Sequence, residues 1–238
     1  MGEPDRAAAL LEAYSRLLSL AAHEFRTPAS VVGGYLRMLQ RDGEQPLSER
    51  QRKMVDEAEK SCAKLVALIS ELSEISKLDG GTAAVKREEI DLLQLIRDVA
   101  AGVHEARDRG VQFAVRGDLA GARLTVDKPR LAAAFNAFFR AILREQPGDA
   151  TVVADCRTGP DRAAVVVVAR DADVQRSYEA DAGAFDEKRG GLGLALPIAC
   201  RVIERHGGRV WSPDVPAQAE SGLTGRSAVL ISLPVSAE

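Results

Sequence analysis

An imidazole, a carboxylate and a hydroxyl stand close together early in the sequence, at His23, Glu24 and Thr27. A neutral imidazole, whose ordinary pKa is about 6.5, is a competent nucleophile near neutral pH. A carboxylate at the next residue can fix the tautomer of the ring and accept its proton. These residue types could support nucleophilic chemistry at His23, but a lone exposed histidine is more often an ordinary polar surface residue.

One long helix is predicted for the segment that carries these residues, from about residue 6 to residue 42. Its apolar residues recur with the spacing of a coiled coil. One row consists of Leu11, Leu18, Phe25, Val32 and Leu39, and the alternating row of Tyr14, Ala21, Pro28 and Tyr35.

His23 takes the most solvent-facing position of this heptad pattern. Thr27 follows one turn later on the same side, and Glu24 lies beside His23 at the edge of the apolar seam. Pro28, inside the helix, removes one backbone hydrogen bond and is expected to kink the helix at a cost of about 3 kcal/mol. A defect of that size beside an exposed histidine favours a functional role.

A second helix is expected after a break at residues 43–46. Ser48–Gln51 has the pattern of a capping box, and apolar residues at three- and four-residue spacing continue to the glycines of Asp79–Gly81. The two helices would form an antiparallel hairpin with one apolar seam, which is half of a four-helix bundle. A second copy would complete the bundle, so we expect a homodimer. We place this hairpin domain at residues 1–81.

Residues 82–238 change to alternating helices and strands, so we assign the chain to the α+β class, as a helical hairpin followed by an α/β sandwich. Residues 170–190 are expected to form a polar loop, and Ala163–Ala169 a strand that is buried on both faces. The predicted helices cover residues 92–108, 129–144 and a stretch after Leu194 that ends at His206. The predicted strands lie near residues 111–115, 123–126, 150–156, 163–169, 209–211 and 228–233.

The composition excludes several classes of protein. A formal charge of -3 argues against nucleic-acid binding, and 46% hydrophobic residues argue against disorder. No run reaches the roughly 18 to 20 apolar residues that a membrane span needs. The three cysteines, Cys62, Cys156 and Cys200, lack the CxxC spacing of metal sites. We therefore expect reduced thiols, no metal held by them and a cytoplasmic location.

Residues Ala21–Pro28 resemble the phosphoacceptor H box of the sensor histidine kinases of two-component signalling. The resemblance implies that His23 is the phosphoacceptor and that Glu24 accepts its proton. It also implies that Thr27 orients water when a response regulator is dephosphorylated. The implied partner is the receiver domain of a response regulator.

The elements after Gly81 resemble the GHKL, or Bergerat, ATP-binding domain of the same kinases, which implies ATP and magnesium as cofactors. Asp127–Leu131 matches the entry to the N box of that family, and Arg144 matches its closing basic residue. The two asparagines of the box, of which the second binds magnesium, fall on Ala137 and Ala141. Alanine has no oxygen for a hard cation, so we expect this chain to lack the magnesium ligand.

The two glycine boxes of the family are matched unequally. Asp171 follows a buried strand, as the adenine-binding aspartate of the family does, but Asp173 and Gln175 occupy the glycine places. Gly191 and Gly193 match the last glycine box, which leads into a helix N-terminus with free backbone N–H groups.

Three further residues have weaker implications. Phe185 is either a remnant of an aromatic lid motif or a residue that packs locally. His104 is expected to be a surface residue within a helix. His206 is expected to be a cation at a helix C-terminus, where positive charge favours the helix dipole.

Three functions remain open from the sequence. The first is an ATP-dependent histidine kinase that passes the phosphoryl group from His23 to an aspartate of a response regulator. The second is an ATP-independent phosphotransferase or response-regulator phosphatase, with the second domain as a scaffold. The third is a non-enzymatic dimeric adaptor in which His23 is idle. The H box separates the third from the others, and the N box separates the first from the second.

Overall fold

The computed structural model describes residues 3–43, 45–119, 122–214 and 224–235. Glu44, in the predicted break between the first two helices, lies outside these residues. The chain divides into two compact units between Ala83 and Ala84. The first unit is helical, and the second combines sheets with helices.

Two long helices form the first unit. α1 spans Glu3–Arg41 and continues through Pro28, and α2 spans Glu49–Asp79. The predicted capping box begins α2, since the Ser48 side chain accepts a hydrogen bond from the backbone N–H of Gln51 and the Gln51 side chain accepts one from the backbone N–H of Ser48. The predicted helical hairpin is confirmed.

Small side chains bring α1 and α2 together. Ala22 is buried, and the thiol of Cys62 donates to the carbonyl oxygen of Ala29 at 3.1 Å. Towards the end of the hairpin that carries the chain terminus, the hydroxyls of Ser15 and Ser76 each donate to the backbone carbonyl of the other residue at 2.7 Å. Both serines are buried, so this reciprocal pair fixes the register of the two helices.

Much of the predicted apolar seam lies on the surface of the single chain. Phe25, Val32 and Tyr35 are 58%, 52% and 65% exposed. A helix turns about 100° per residue, so Phe25 lies about 60° around the axis from Ala22, which faces α2. The contact between the helices uses the small residues because these permit a closer approach, and the large apolar residues form a stripe on the side of the hairpin.

The second unit contains two sheets and four helices among its described residues. The short sheet pairs β1 with β3, and the other six strands form one sheet in the order β2-β4-β5-β8-β7-β6. Only β2 and β4 pair in parallel; the other neighbours pair antiparallel. The strands are β1 Glu88–Asp91, β2 Gln112–Gly117, β3 Arg123–Val126, β4 Thr151–Thr158, β5 Ala164–Arg170, β6 Asp181–Gly183, β7 Arg209–Asp214 and β8 Ala228–Leu233. The helices are α3 Leu92–Gly102, α4 Lys128–Arg144, α5 Val174–Glu179 and α6 Ala195–Arg205.

The face of the six-stranded sheet that we call the inner face is covered by α4, with α3 and α6 packed beside it. Phe139 of α4 contacts Phe113 of β2, with ring centroids 4.9 Å apart. Phe113 pairs with Val152 of β4, so Val152 is also on the inner face. This layer of helices on a sheet is the predicted sandwich.

The opposite, outer face of the sheet is covered by α5. Strand residues alternate between the faces, so Val153 of β4 points to the outer side, where it packs with Val174 of α5. The other members of this outer cluster are Val167, Ala169, Ala228 and Leu230, with Tyr178 and Trp211 at its margin. The prediction that β5 is buried on both faces is confirmed, because helices lie on both sides of it.

The prediction and the structure differ at three elements. The helix predicted to reach residue 108 ends at Gly102, since Val103 is extended and Ala106 has a positive φ of 60°. His104 is exposed, as expected, but it lies outside the helix. The predicted loop at residues 170–190 contains α5 and β6. The sequence prediction also missed β1, which is only four residues long and has a single buried residue, Ile90.

In the described part of the chain, no helix is both long enough and apolar enough to cross a bilayer.

Candidate functional site

His23, Glu24 and Thr27 lie in the middle of α1, and all three are exposed. At about 100° per residue, Thr27 lies about 40° around the helix axis from His23, and Glu24 about 100°. Ala22, which packs against α2, lies about 100° from His23 in the other direction. The imidazole and the hydroxyl therefore share a side of α1 that faces solvent, and the carboxylate lies at the margin of that side.

The three side chains are free to react. Among the described residues, no hydrogen bond or ion pair holds the side chain of His23, Glu24 or Thr27. An exposed nucleophile on a rigid helix, with a carboxylate as its neighbour, can reach a reactive group on a second protein.

The last turn of α4 carries a cluster of charged residues. Arg144 donates from Nη1 to the carbonyl oxygens of Gly190 and Gly191, at 3.2 and 3.4 Å. Its Nε donates to Glu105, which also accepts a hydrogen bond from Arg140 at 2.9 Å. Burial raises the pKa of Glu105, but the hydrogen bonds from Arg144 and Arg140 outweigh burial and leave the pKa below its ordinary value. Arg144 is therefore engaged with groups of its own chain.

The two positions expected for asparagine lie on the buried side of α4. Ala137 and Ala141 are both buried, and neither has a side-chain oxygen. Gly190, with a positive φ of 69°, lies directly against Ala141, because a Cβ added to Gly190 would be only 2.9 Å from the Cα of Ala141. The backbone of Gly190 fills the space beside α4 that a larger side chain at residue 141 would need.

Asp171 lies away from α4. Its carboxylate forms an ion pair with Arg116 of β2, which also pairs with the buried Asp155 of β4 at 2.6 Å. Arg116 and Asp155 are partners in the parallel β2–β4 ladder, and both are an odd number of residues from the inner-face pair Phe113 and Val152. Alternation places Arg116 and Asp155 on the outer face, so Asp171 is on the side of the sheet opposite α4.

The residues after Asp171 continue on the outer side of the sheet. Asp173 accepts a hydrogen bond at its carbonyl from the hydroxyl of Ser177 at 2.8 Å, and Gln175 accepts one from Arg157 at 3.0 Å. The hydroxyl of Tyr178 is 3.1 Å from both the carbonyl oxygen and the carboxylate of Asp155. Burial raises the pKa of Tyr178. These bonds attach α5 to the outer face at several points.

Gly191 and Gly193 both have positive φ, at 59° and 65°, which glycine adopts without strain. They lead into α6, as predicted, but the first turn offers few free donors. The N–H of Ala195 donates to the carbonyl oxygen of Leu192, and Pro197 has no N–H. The structure brings Arg144, Gly190 and Gly191 together, while Asp171 is on the other face of the sheet.

A buried arginine, which no pattern in the sequence indicated, lies beside this glycine segment. The side chain of Arg189 is fully buried, and its Nε donates to Glu145 at 3.1 Å. Its Nη1 donates to the carbonyl oxygen of Ala228 at 3.3 Å, and Arg226 also pairs with Glu145, at 2.6 Å. The three charged residues are separated by 44 and 37 positions in the sequence, so no local spacing pattern could have revealed the cluster.

The remaining candidate residues are structural. Phe185 packs on Phe138 with ring centroids 5.7 Å apart. His206 accepts at Nε2 from the backbone N–H of Asp127 at 3.0 Å, and its Nδ1 is 2.7 Å from the carbonyl oxygen of Val202. His206 is at the C-terminus of α6, as expected, and it links the end of α6 to the start of α4.

A magnesium ion finds few ligands in this arrangement. The described residues include no group of three or more His, Cys, Asp or Glu side chains placed to hold a metal ion. The three cysteines are free and buried, and burial raises the pKa of Cys156 and of Cys200 to about 12. At the two asparagine positions of the N box, Ala137 and Ala141 supply no side-chain oxygen for the magnesium that the resemblance implies.

Residues 13–81 match the family model for the His Kinase A (phospho-acceptor) domain. The chain is 30% identical over 229 residues to sensor protein DivL of Caulobacter vibrioides. The matched region covers 91% of this chain and 29% of DivL. It is 22% identical over 211 residues to sensor protein kinase WalK of Staphylococcus aureus, over 84% of this chain and 34% of WalK. The chain is thus similar to the core of sensor histidine kinases.

Two solved structures share the fold of this chain. The crystal structure of full-length ShkA in complex with AMPPNP has a TM-score of 0.68 at 21% identity, over 94% of this chain and 46% of ShkA. The histidine kinase ThkA, in complex with the response regulator protein TrrA, has a TM-score of 0.56 at 20% identity, over 98% of this chain and 64% of ThkA. Both likenesses extend across the hairpin and the α/β unit. The chain spans about a third of the length of DivL and WalK.

Proposed function

We propose that this chain is a two-component signalling protein that transfers a phosphoryl group between His23 and an aspartate of a response-regulator receiver domain. The observation that carries the proposal is the exposed His23, within the matched phospho-acceptor region, on a side of α1 that faces solvent. The structure of ThkA with a response regulator supports the class of partner.

On this chain, the reaction needs only side chains of the hairpin, and the receiver domain supplies the aspartyl phosphate. A ring nitrogen of neutral His23 attacks the phosphorus of an aspartyl phosphate, the new N–P bond forms, and the P–O bond to the aspartate breaks to release a carboxylate. The Glu24 carboxylate takes the proton that the imidazole loses. In the reverse direction the receiver carboxylate attacks phosphohistidine. In regulator dephosphorylation the Thr27 hydroxyl orients the attacking water.

We propose that the working form is a homodimer. The apolar stripe of α1, which includes Phe25 and Val32, is exposed in the single chain, and it continues along the helix in coiled-coil spacing. A second copy would cover the stripe in a four-helix bundle and leave His23 on the outer surface. The free thiols support a reducing compartment, and we propose the cytoplasm.

The proposed transfer is tested with a panel of purified receiver domains from the genome that encodes this chain, labelled on aspartate with radioactive acetyl phosphate. We expect acid-labile label to appear on the intact chain and to be absent from His23→Ala. The matched control is His104→Ala, which changes another exposed histidine and should accept label normally.

Two further variants separate the roles of the neighbours. Glu24→Gln should slow transfer by about two to four orders of magnitude, because it removes the proton acceptor. Thr27→Ala should keep transfer but lose regulator dephosphorylation. If no receiver exchanges a phosphoryl group with the chain, or if His23→Ala still accepts label, the proposed function is wrong.

A further inference from the structure

We propose that this chain does not hold magnesium–ATP, and that the phosphoryl group on His23 comes from the acyl phosphate of a receiver-domain aspartate. This inference rests on the proposed function of His23. It follows from the places that the structure gives to the residues of the nucleotide-type site, which do not converge on one pocket.

The first observation is the position of Asp171. An adenine held near α4 would need this carboxylate on the inner face of the sheet, but the carboxylate is on the outer face in an ion pair with Arg116. The packing of α5 on the outer cluster keeps it there, because Val174 is fully buried and Tyr178 bonds to Asp155. Moving Asp171 to the inner face would expose this cluster to water.

The second observation is the close contact between α4 and the glycine segment. Gly190 lies against Ala141, and Arg144 bonds to the carbonyl oxygens of Gly190 and Gly191. A magnesium ion bridging phosphates would need oxygen ligands between these two elements. The structure has backbone against an alanine there, and the basic side chain is already paired with Glu105.

The third observation is the sign of the local charge. Asp171 and Asp173 follow the end of β5, Asp155 is on the neighbouring strand β4, and Arg116, Arg157 and Arg176 pair with these three carboxylates. None of these arginines is left as a surplus cation for triphosphate.

An acyl phosphate can donate the phosphoryl group to His23 in place of ATP. Its carboxylate leaving group departs without a protein-bound cation on this chain, and the phosphoryl group passes to imidazole with one bond formed and one broken. The proton goes to Glu24, so the step balances with no other reactant. In a reaction sequence, the chain then receives the phosphoryl group from one receiver domain and passes it to another or back to the first.

The nucleotide part is tested by calorimetry of the full chain with Mg·ATP and Mg·AMPPNP at millimolar concentration, together with thermal unfolding. We expect no heat of binding and no change in Tm. Saturable binding of one nucleotide per chain, lost in Asp171→Ala, would overturn the inference.

The donor part compares radioactive ATP with the labelled receiver panel. We expect label on His23 from a receiver and none from ATP. Label from ATP that is lost in His23→Ala overturns this inference but leaves the proposed function standing. Label from neither donor overturns the proposed function, and the donor assignment with it, while the calorimetry still decides whether ATP binds.

A restored variant makes the nucleotide test sharper. Ala137→Asn with Ala141→Asn supplies the missing amide oxygens, but we expect it to remain without ATP binding, since Asp171 stays on the outer face. The control for folding is Ala134→Asn, a buried alanine on the same helix, and circular dichroism with thermal unfolding checks that the restored variant is folded. Nucleotide binding by the restored variant would show that the inner-face pocket is intact, and would overturn the geometric argument.

Discussion

At the scale of the residue, Arg189 is the clearest example of a side chain whose role depends on distant partners. It is a fully buried cation between α4 and β8, and Glu145 is its charged partner. Burial lowers the pKa of Arg189, and the hydrogen bond that Arg189 donates to Glu145 opposes that effect. A buried charge that loses its partner is costly, so this pair holds the glycine segment at the end of α4.

Arg189→Ala should lower the free energy of unfolding by about 3 kcal/mol, since it leaves Glu145 partly unpaired and opens a cavity. Urea unfolding followed by circular dichroism gives the measurement. Arg226→Ala is the matched control, because Arg226 pairs with the same carboxylate but is 59% exposed, and it should cost less than about 1 kcal/mol. Equal losses for the two variants would contradict the structural role given to burial.

The lowered pKa of Glu105 predicts how the stability of the fold changes in acid. Its pKa is lower in the folded state than in the unfolded state, where it should lie near the ordinary value of about 4.3. A depressed pKa stabilises the fold above the unfolded pKa, and that stability is lost as the pH falls through the folded pKa.

Glu105→Gln should therefore be less stable than the parent chain near neutral pH by about 1 to 2 kcal/mol, and the difference should shrink below about pH 4. The measurement is urea unfolding of both proteins between neutral and acid pH. A difference that grows in acid would show that Arg140 and Arg144 do not stabilise the ionised form.

At the scale of the element, the hairpin register depends on Ser15 and Ser76. Each hydroxyl is buried and bonds to the backbone of the other helix. Ser15→Ala and Ser76→Ala should each destabilise the hairpin by about 1 kcal/mol, and a double-mutant cycle should show coupling between the two. Ser70→Ala is the control, since Ser70 bonds within its own helix and is exposed. Additive losses would mean that the two serines act separately.

The sequence predicted the elements with a strong local pattern. The two hairpin helices, α4 and the doubly buried β5 follow from heptad spacing, caps and an unbroken apolar run. It did not predict α5, because a six-residue helix has little periodicity and is stabilised by packing on the outer face of the sheet.

The sequence predicts the position of some residues of the candidate site but not of others. The exposure of His23 follows from its heptad position, which is a property of one helix. The position of Asp171 could not be deduced, because it depends on which face of the sheet the chain takes after β5, and that depends on contacts with Asp155 and Arg116 far away in the sequence.

At the scale of the whole molecule, the apolar stripe of α1 predicts assembly. Val32→Glu places a charge at the centre of the stripe and should shift the chain from dimer to monomer, as measured by light scattering after size-exclusion chromatography. Ser19→Glu adds the same charge at an exposed position outside the stripe and should remain dimeric. A monomer in the parent chain, or a dimer of Val32→Glu, would contradict the proposed bundle.

The helices on both faces of β5 also determine how its backbone amides become accessible to solvent. The amides of Ala164–Ala169 are hydrogen-bonded to β4 on one side and β8 on the other, beneath α4 on one face and α5 on the other. Local fluctuations that free a surface strand cannot expose them to solvent. Their hydrogen–deuterium exchange will thus proceed through complete unfolding of the unit, and its rate will report the global free energy of unfolding residue by residue.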